Sequence, residues 1–236
     1  INFLYSHGSL FTTCNGNLLF HGCIPFTEDG DFMEVTIGGK TNHGAALMKQ
    51  LDRSLREAYF NPGEGVDKAD AANIMWYLWL GPDSPLFGKD KMTTFERLFI
   101  EDKATHKEHT VPYYKLINDK DICIKIIRDF DLDPTKGIIL NGHVPVKIKD
   151  GESPIKGEGK LIVIDGGISK AYQKTTGIAG YTFIFNSWFM ALSEHEPYHP
   201  LQPDGTQEFN NPNIVTTMTL PERMLIIDTD IGKLLQ

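Results

Sequence analysis

Cysteine is scarce in this chain, with three in 236 residues, and Cys14, Cys23 and Cys123 are too far apart to form a Cys-x-x-Cys pair. Neither a zinc ribbon nor a disulfide scaffold is expected, and a reducing cytoplasm is the compartment this usage fits. An excess of positive charge is lacking too: 23 Lys and Arg face 31 Asp and Glu, a formal net charge of −8. No overall cationic field would draw in a polyanion, which argues against nucleic acid or an anionic membrane as partner. A small phosphorylated molecule needs only local cations and stays open. Long apolar runs are missing, since Ile74–Leu80 and Leu161–Ile164 fall far short of the ~20 residues that span a bilayer. The chain does not begin with Met, and Ile1-Asn2-Phe3-Leu4-Tyr5 has no basic region ahead of an apolar stretch. It is therefore no secretory signal and reads as a cut end.

What is present, 41% hydrophobic and 23% charged residues, is ordinary for a soluble globular chain with one sizeable core or two small ones. The run Asn17–Pro25, NLLFHGCIP, is a short strand candidate that delivers His21 and breaks at Gly22 and Pro25. Thr27–Gly39 reads as a loop or hairpin. From His43 to Phe60, Leu47, Leu51, Leu55 and Tyr59 recur every four residues, which predicts one buried face of an amphipathic helix. A second helix is predicted over Asp67–Leu80, and its nearly all-apolar end predicts burial of Trp76, Tyr77 and Trp79 in a helix core rather than a sugar-stacking platform. Thr93 and Glu96 have capping-box spacing ahead of a helix over Thr94–Ile100. Glu101–Glu108 reads as a solvated loop, and a last helix near Asp119–Phe130 carries Ile122, Ile126 and Ile127 on one side.

From Gly137 the pattern changes to strands, GIIL, KLIVI and YTFIF, each ending in a polar or glycine-rich loop. The remainder, Glu194–Asn213, reads as loop. The organisation is a strand-rich segment 1–40, a helical insertion 41–130 and a strand-rich segment 131–236. Strand ends are where layered α/β proteins usually place ligands. A histidine there, with glycine beside it, can present an imidazole nitrogen to a metal while the glycine admits a close backbone approach. Phe20-His21-Gly22 and Asn141-Gly142-His143 both have that form. Taken singly, such a histidine is more often a turn residue with a satisfied hydrogen bond, and it is the pair that points to a metal. His7, His43, His106, His109, His195 and His199 lack that context and receive no role.

In that order, LLFHG (Leu18–Gly22), ILNGHVPV (Ile139–Val146) and LIVIDGG (Leu161–Gly167) resemble the last three blocks of calcineurin-like metallophosphoesterases. Over Asn141–Tyr181 and Tyr77–Ile100 the text is similar to class III fructose-1,6-bisphosphatases in particular, and that resemblance extends over essentially the whole chain. It implies an α/β fold (α+β), the C-terminal part of an α/β/β/α sandwich with a helical insertion. The implied activity is hydrolysis of the 1-phosphate of fructose 1,6-bisphosphate in gluconeogenesis. The implied cofactor is a Mn²⁺ pair that holds phosphate oxygens and activates water for direct attack on phosphorus. By match, His21 and His143 bind one ion of that pair.

Two departures stand out. Many relatives carry a second histidine two residues after the Gly-His pair, where this chain has Pro145, and the upstream blocks Asp-x-His, Gly-Asp-x-x-Asp-Arg-Gly and Gly-Asn-His-Glu occur nowhere in residues 1–236. The chain is therefore expected to be a C-terminal part that needs the missing N-terminal segment as its partner, with no catalytic histidine of its own and no activity alone. The second phosphate of the substrate calls for cations, and among the lysines and arginines around these blocks Lys91, Arg97 and Lys156 are singled out. Asp165-Gly166-Gly167 is read as a tight turn beside the site. Another metallophosphoesterase activity, on phosphoproteins or dinucleotides, and a non-catalytic scaffold role are the rival readings. The oligomeric state is left open, a homo-oligomer included.

Overall fold

A computed structural model describes residues 1–61, 66–167, 169–177, 180–195, 202–205 and 213–235. In chain order its elements are α1 (Asn2–His7), β1 (Phe11–Cys14), β2 (Asn17–Phe20), β3 (Val35–Ile37), β4 (Lys40–Asn42), α2 (Gly44–Phe60), α3 (Val66–Leu80), α4 (Thr94–Phe99), α5 (Tyr113–Leu116) and α6 (Lys120–Asp129). There follow β5 (Ile139–Asn141), β6 (Ile155–Lys156), β7 (Leu161–Val163), α7 (Lys170–Thr176), β8 (Gly180–Phe185), β9 (Phe189–His195), β10 (Asn213–Thr219) and α8 (Asp230–Leu234). The fold is mixed α/β, as the sequence predicts.

Five strands form one sheet in the order β1-β2-β5-β7-β6. β1 and β2 make a hairpin turned by Asn15 and Gly16, both at positive φ, 49° and 80°. Asn-Gly supplies the two left-handed residues that such a tight turn needs. β2, β5 and β7 run parallel, with Phe20 beside Asn141 and Asn141 beside Val163. Their side chains are almost all buried, as parallel strands covered on both faces require. Parallel neighbours need a long crossover, and α2 to α6 lie within the one that joins β2 to β5. Since the three strands end level, His21, His143 and Asp165 emerge together at one edge. A separate antiparallel sheet has the order β10-β9-β8, and Tyr181, Met190 and Leu192 from it join the same core as Leu18, Ile139 and Leu161.

Leu47 and Leu51 of α2 are wholly buried with Ile126 and Ile127 of α6. Leu55 and Tyr59 are only half-buried: the second half of α2 faces α1, where Tyr59 stacks on Tyr5 with centroids 4.0 Å apart. Leu51→Ala is therefore expected to lower stability by about 2–5 kcal/mol and Leu55→Ala by less than half as much, which urea unfolding of the two variants would measure.

Several expectations are corrected. Trp76 and Trp79 are 59% and 61% exposed, and of the apolar end of α3 only Leu78 is buried. The two indoles lie against each other, centroids 5.3 Å apart. A helix that is apolar all round has no periodicity to say which side packs, so burial could not be read from composition. Thr93 forms no cap hydrogen bond: its hydroxyl turns to Glu108 at 2.8 Å, with the His106 carbonyl near at 3.1 Å, and its oxygen accepts from Arg97 Nε. The loop Glu101–Glu108 holds a short turn of 3-10 helix, and Glu108 at its end is drawn inward. β9 ends at His195, so that histidine does have strand-end context, and its ring meets the Thr182 hydroxyl at 2.5 Å. His199 and most of the loop expected over Glu194–Asn213 lie outside the described residues. Among the described residues no helix is long and apolar enough to cross a membrane.

Candidate metal and phosphate site

The parallel strand ends bring the two singled-out histidines into contact. His143 Nδ1 lies 3.0 Å from His21 Nε2, although 122 positions separate them in sequence. His143 turns back on itself with φ at 70°, a left-handed conformation uncommon outside glycine, and this aims its ring toward β2. Its other nitrogen, Nε2, is 3.0 Å from the Phe87 carbonyl. A carbonyl only accepts, so Nε2 carries the proton and Nδ1 is left with its lone pair. With both rings neutral, His21 Nε2–H donates to His143 Nδ1.

Burial holds the His21 pKa below the ordinary imidazole value, the neighbouring His143 lowers it further, and Asp165 opposes the fall. Burial thus favours the neutral form of His21, the form that binds metal. Two nitrogens on one ion at ~2.1 Å and a right angle stand ~3.0 Å apart, so the spacing suits adjacent positions on one divalent ion. The donor chemistry suits Mn²⁺ if oxygen ligands complete the shell. Among the described residues no third His, Cys, Asp or Glu joins them. The residues fit half of a metal site.

The two glycines beside these histidines, alike in sequence, differ in the fold. A Cβ on Gly22 would stand 2.0 Å from the Pro85 carbonyl oxygen, while one on Gly142 would have nothing nearer than 3.6 Å. The Pro85 carbonyl is held there by the Cys23 N–H at 2.8 Å. The segment Ser84–Phe87, inside the long crossover, therefore backs both histidines. Asn141 went unremarked in the sequence beyond its place in a strand end. Its side chain is 1% exposed and donates toward the carbonyls of Gly22, His21 and Phe20 at 2.8, 3.2 and 3.3 Å. A buried amide next to a Gly-His pair is the signal that could have marked it. Asp165 forms the expected turn, its Oδ1 accepting from Gly167 N at 2.8 Å.

The singled-out cations do not gather at the histidine pair. Lys156, whose side chain is only 11% exposed, is committed to Glu152 at 2.9 Å. Arg97 donates through Nε to Thr93 Oγ1 at 3.0 Å and through Nη2 to the His106 carbonyl at 3.2 Å. Lys91 is exposed and, among the described residues, forms no ion pair. A cavity of about 500 Å³ opens beside His143, lined by Leu55, Met75, Leu78, Trp79 and Met92 among others but by no lysine or arginine. By itself it has nothing to hold a phosphate.

Glu108 anchors this region. It accepts from Lys89 Nζ at 2.7 Å, Thr93 N at 3.0 Å and Thr93 Oγ1 at 2.8 Å. The Lys89 ammonium first, and then the Thr93 donors, outweigh burial and bring its pKa down to about 2. A carboxylate depressed on folding contributes stability that is full above its unfolded pKa near 4.5 and is lost as pH falls toward 2. Unfolding followed from pH 5 to pH 2.5 should therefore show on the order of 1–2 kcal/mol lost through this group after solvent screening. Glu108→Gln should flatten that slope.

Comparison with known proteins defines the class. The model of the Firmicute fructose-1,6-bisphosphatase family matches residues 1–236, and the chain belongs to that family. Fructose-1,6-bisphosphatase class 3 of Clostridium botulinum strain Kyoto is 51% identical over 236 residues, 99% of this chain and 35% of the relative. Its counterpart in Clostridium acetobutylicum is 50% identical over 237 residues, again 99% of this chain and 35% of the relative. The chain thus spans about a third of the length of these curated relatives, 35% in each case. No solved structure matches it.

Proposed function

We propose that this chain is the part of a fructose-1,6-bisphosphatase of the metallophosphoesterase superfamily that supplies two imidazole ligands to one ion of a Mn²⁺ pair. The whole protein would hydrolyse the 1-phosphate of fructose 1,6-bisphosphate, a gluconeogenic reaction of the cytoplasm. The observation that carries this reading is the 3.0 Å approach of His143 Nδ1 to His21 Nε2 at level parallel strand ends. Family membership over the full chain supports the substrate. A bound ion pair supplies charge that offsets the charge developing on phosphate oxygens, and it activates water.

This chain's own residues orient and desolvate the site. The Phe87 carbonyl keeps His143 in the tautomer that leaves Nδ1 free to bind. Lys91, the singled-out cation without an ion pair among the described residues, is assigned to the distal phosphate. Lys156, held by Glu152, is not. The remaining ligands belong to a segment outside residues 1–236.

The test is a substrate panel on a polypeptide of the relatives' length, with fructose 1,6-bisphosphate, a dinucleotide and a phosphopeptide in the presence of Mn²⁺. Phosphate release confined to the sugar bisphosphate is the expected result. Preference for either of the others would replace this reading with one of its rivals.

A further inference from the structure

The approach of the two histidines is built by a buried side chain that touches neither imidazole. Asn141 ends β5, and its amide nitrogen faces the carbonyls of Phe20, His21 and Gly22, the three consecutive residues at the turn out of β2. The backbone N–H of Gly142 adds a bond to the His21 carbonyl at 3.1 Å. An amide can be turned either way, with nitrogen or oxygen toward those carbonyls. The carbonyls only accept, so the nitrogen faces them, and Oδ1 is left toward Tyr113 on α5, whose hydroxyl, in a side chain 0% exposed, donates to it at 3.2 Å and holds the amide in that orientation. Tyr113 has its ring against Phe20 of β2, with centroids 6.1 Å apart, so its own place is set by packing.

Burial, led by desolvation, also holds the Tyr113 phenol pKa well above its ordinary value. The hydroxyl therefore stays protonated and keeps donating. In this arrangement the carbonyls accept, the Asn141 amide nitrogen donates toward them and its oxygen accepts from Tyr113.

We propose that Asn141 and Tyr113 are positioning residues for the His21–His143 pair, with Tyr113 fixing the amide of Asn141 and Asn141 fixing the turn that carries His21. Binding one ion through both rings requires His21 Nε2 to give up its proton and carry it on Nδ1 instead, with the two nitrogens held near 3 Å throughout. A turn clasped through its carbonyls leaves the ring free to change tautomer while its backbone stays in place. This assigns the crossover a task beyond joining two strands: α5 sets the geometry of a site to which it contributes no ligand. The inference rests on the metal reading above, and its experiment separates the two.

The 236-residue chain would be compared with Tyr113→Phe, Asn141→Leu and His21→Ala. Fold would be monitored by circular dichroism, ring nitrogens by long-range ¹H–¹⁵N correlation without metal, and Mn²⁺ binding by its broadening of histidine signals. In the parent chain His143 should be the Nε2–H tautomer and His21 the Nε2–H donor. Tyr113→Phe should keep the circular dichroism spectrum of the parent, lose that ring-to-ring pattern and bind Mn²⁺ roughly tenfold more weakly, as loss of a supporting bond does at metal sites. Asn141→Leu should do the same more strongly where it folds. Parent-like tautomers and Mn²⁺ affinity in folded Tyr113→Phe would overturn the proposal. If Mn²⁺ broadening in the parent is unchanged by His21→Ala, it is the metal reading that fails, and the tautomer pattern alone still decides whether Tyr113 and Asn141 position the pair.

Discussion

Supplied with Mn²⁺ and fructose 1,6-bisphosphate, the 236-residue chain by itself should release no more phosphate than its His143→Ala variant prepared in the same way. The reason is ligand count. Two imidazoles 3.0 Å apart can share one ion, but two divalent ions roughly 3.5–4 Å apart repel each other strongly unless carboxylates lie between and around them. No further His, Cys, Asp or Glu joins the pair among the described residues. A polypeptide of the relatives' length should turn over, and there His143→Ala should abolish activity. In the same protein Lys91→Ala should mainly raise KM if that lysine holds the distal phosphate equally in ground and transition states. Robust turnover by the 236-residue chain, with the His143→Ala preparation inactive, would show that it carries a complete site and would remove the case for ligands elsewhere.

A large effect on folding is expected from a single methyl group. Gly22→Ala places a Cβ 2.0 Å from the Pro85 carbonyl oxygen and 3.1 Å from its carbon, and a backbone carbonyl cannot swing aside as a long side chain can. Relief requires Ser84–Phe87 to withdraw, which breaks the Cys23 N–H bond to Pro85 and moves the Phe87 carbonyl away from His143. Overpacking a core costs 1–3 kcal/mol, and leaving a buried N–H unpaired costs ~1–3 kcal/mol more. The expectation for Gly22→Ala is a loss of about 3 kcal/mol or more, visible as a much lower urea midpoint. Gly142→Ala meets nothing closer than 3.6 Å and should stay within about 1 kcal/mol of the parent. Equal tolerance of the two substitutions would mean that the crossover does not pack against the histidine turn as described.

Where local pattern suffices to choose a conformation, the sequence was readable. The four-residue recurrence in α2 and the short apolar runs of β2, β5 and β7 each depend on neighbours a few positions away, whereas the Asn15-Gly16 turn of the first hairpin went unread. The candidate histidines were readable for a related reason. A strand that stops at glycine tends to expose whatever stands at its end, and the resemblance singled out His21 and His143, which the fold brings together.

Burial of α3, the cap at Thr93 and the availability of Lys156 were not readable, because each depends on a partner far along the chain. Trp76 and Trp79 stay largely exposed while Leu78 between them is buried. Thr93 is drawn from its helix to Glu108, fifteen positions on. Lys156 could not be known to be spoken for until Glu152 was seen beside it in a largely buried place.

By itself, then, the sequence determined the class of fold, the family and the two imidazoles that the strand ends present, since these follow from residue type, periodicity and the order of short blocks. Only the tertiary structure decided that the imidazoles meet, that a Cβ at Gly22 would collide with the Pro85 carbonyl where one at Gly142 has room, and that Asn141 and Tyr113 lie beside the turn that carries His21. Those facts depend on the parallel register of β2, β5 and β7 and on where a long crossover folds back. Hydrogen bonds and close contacts between residues some 120 positions apart leave no trace in local pattern.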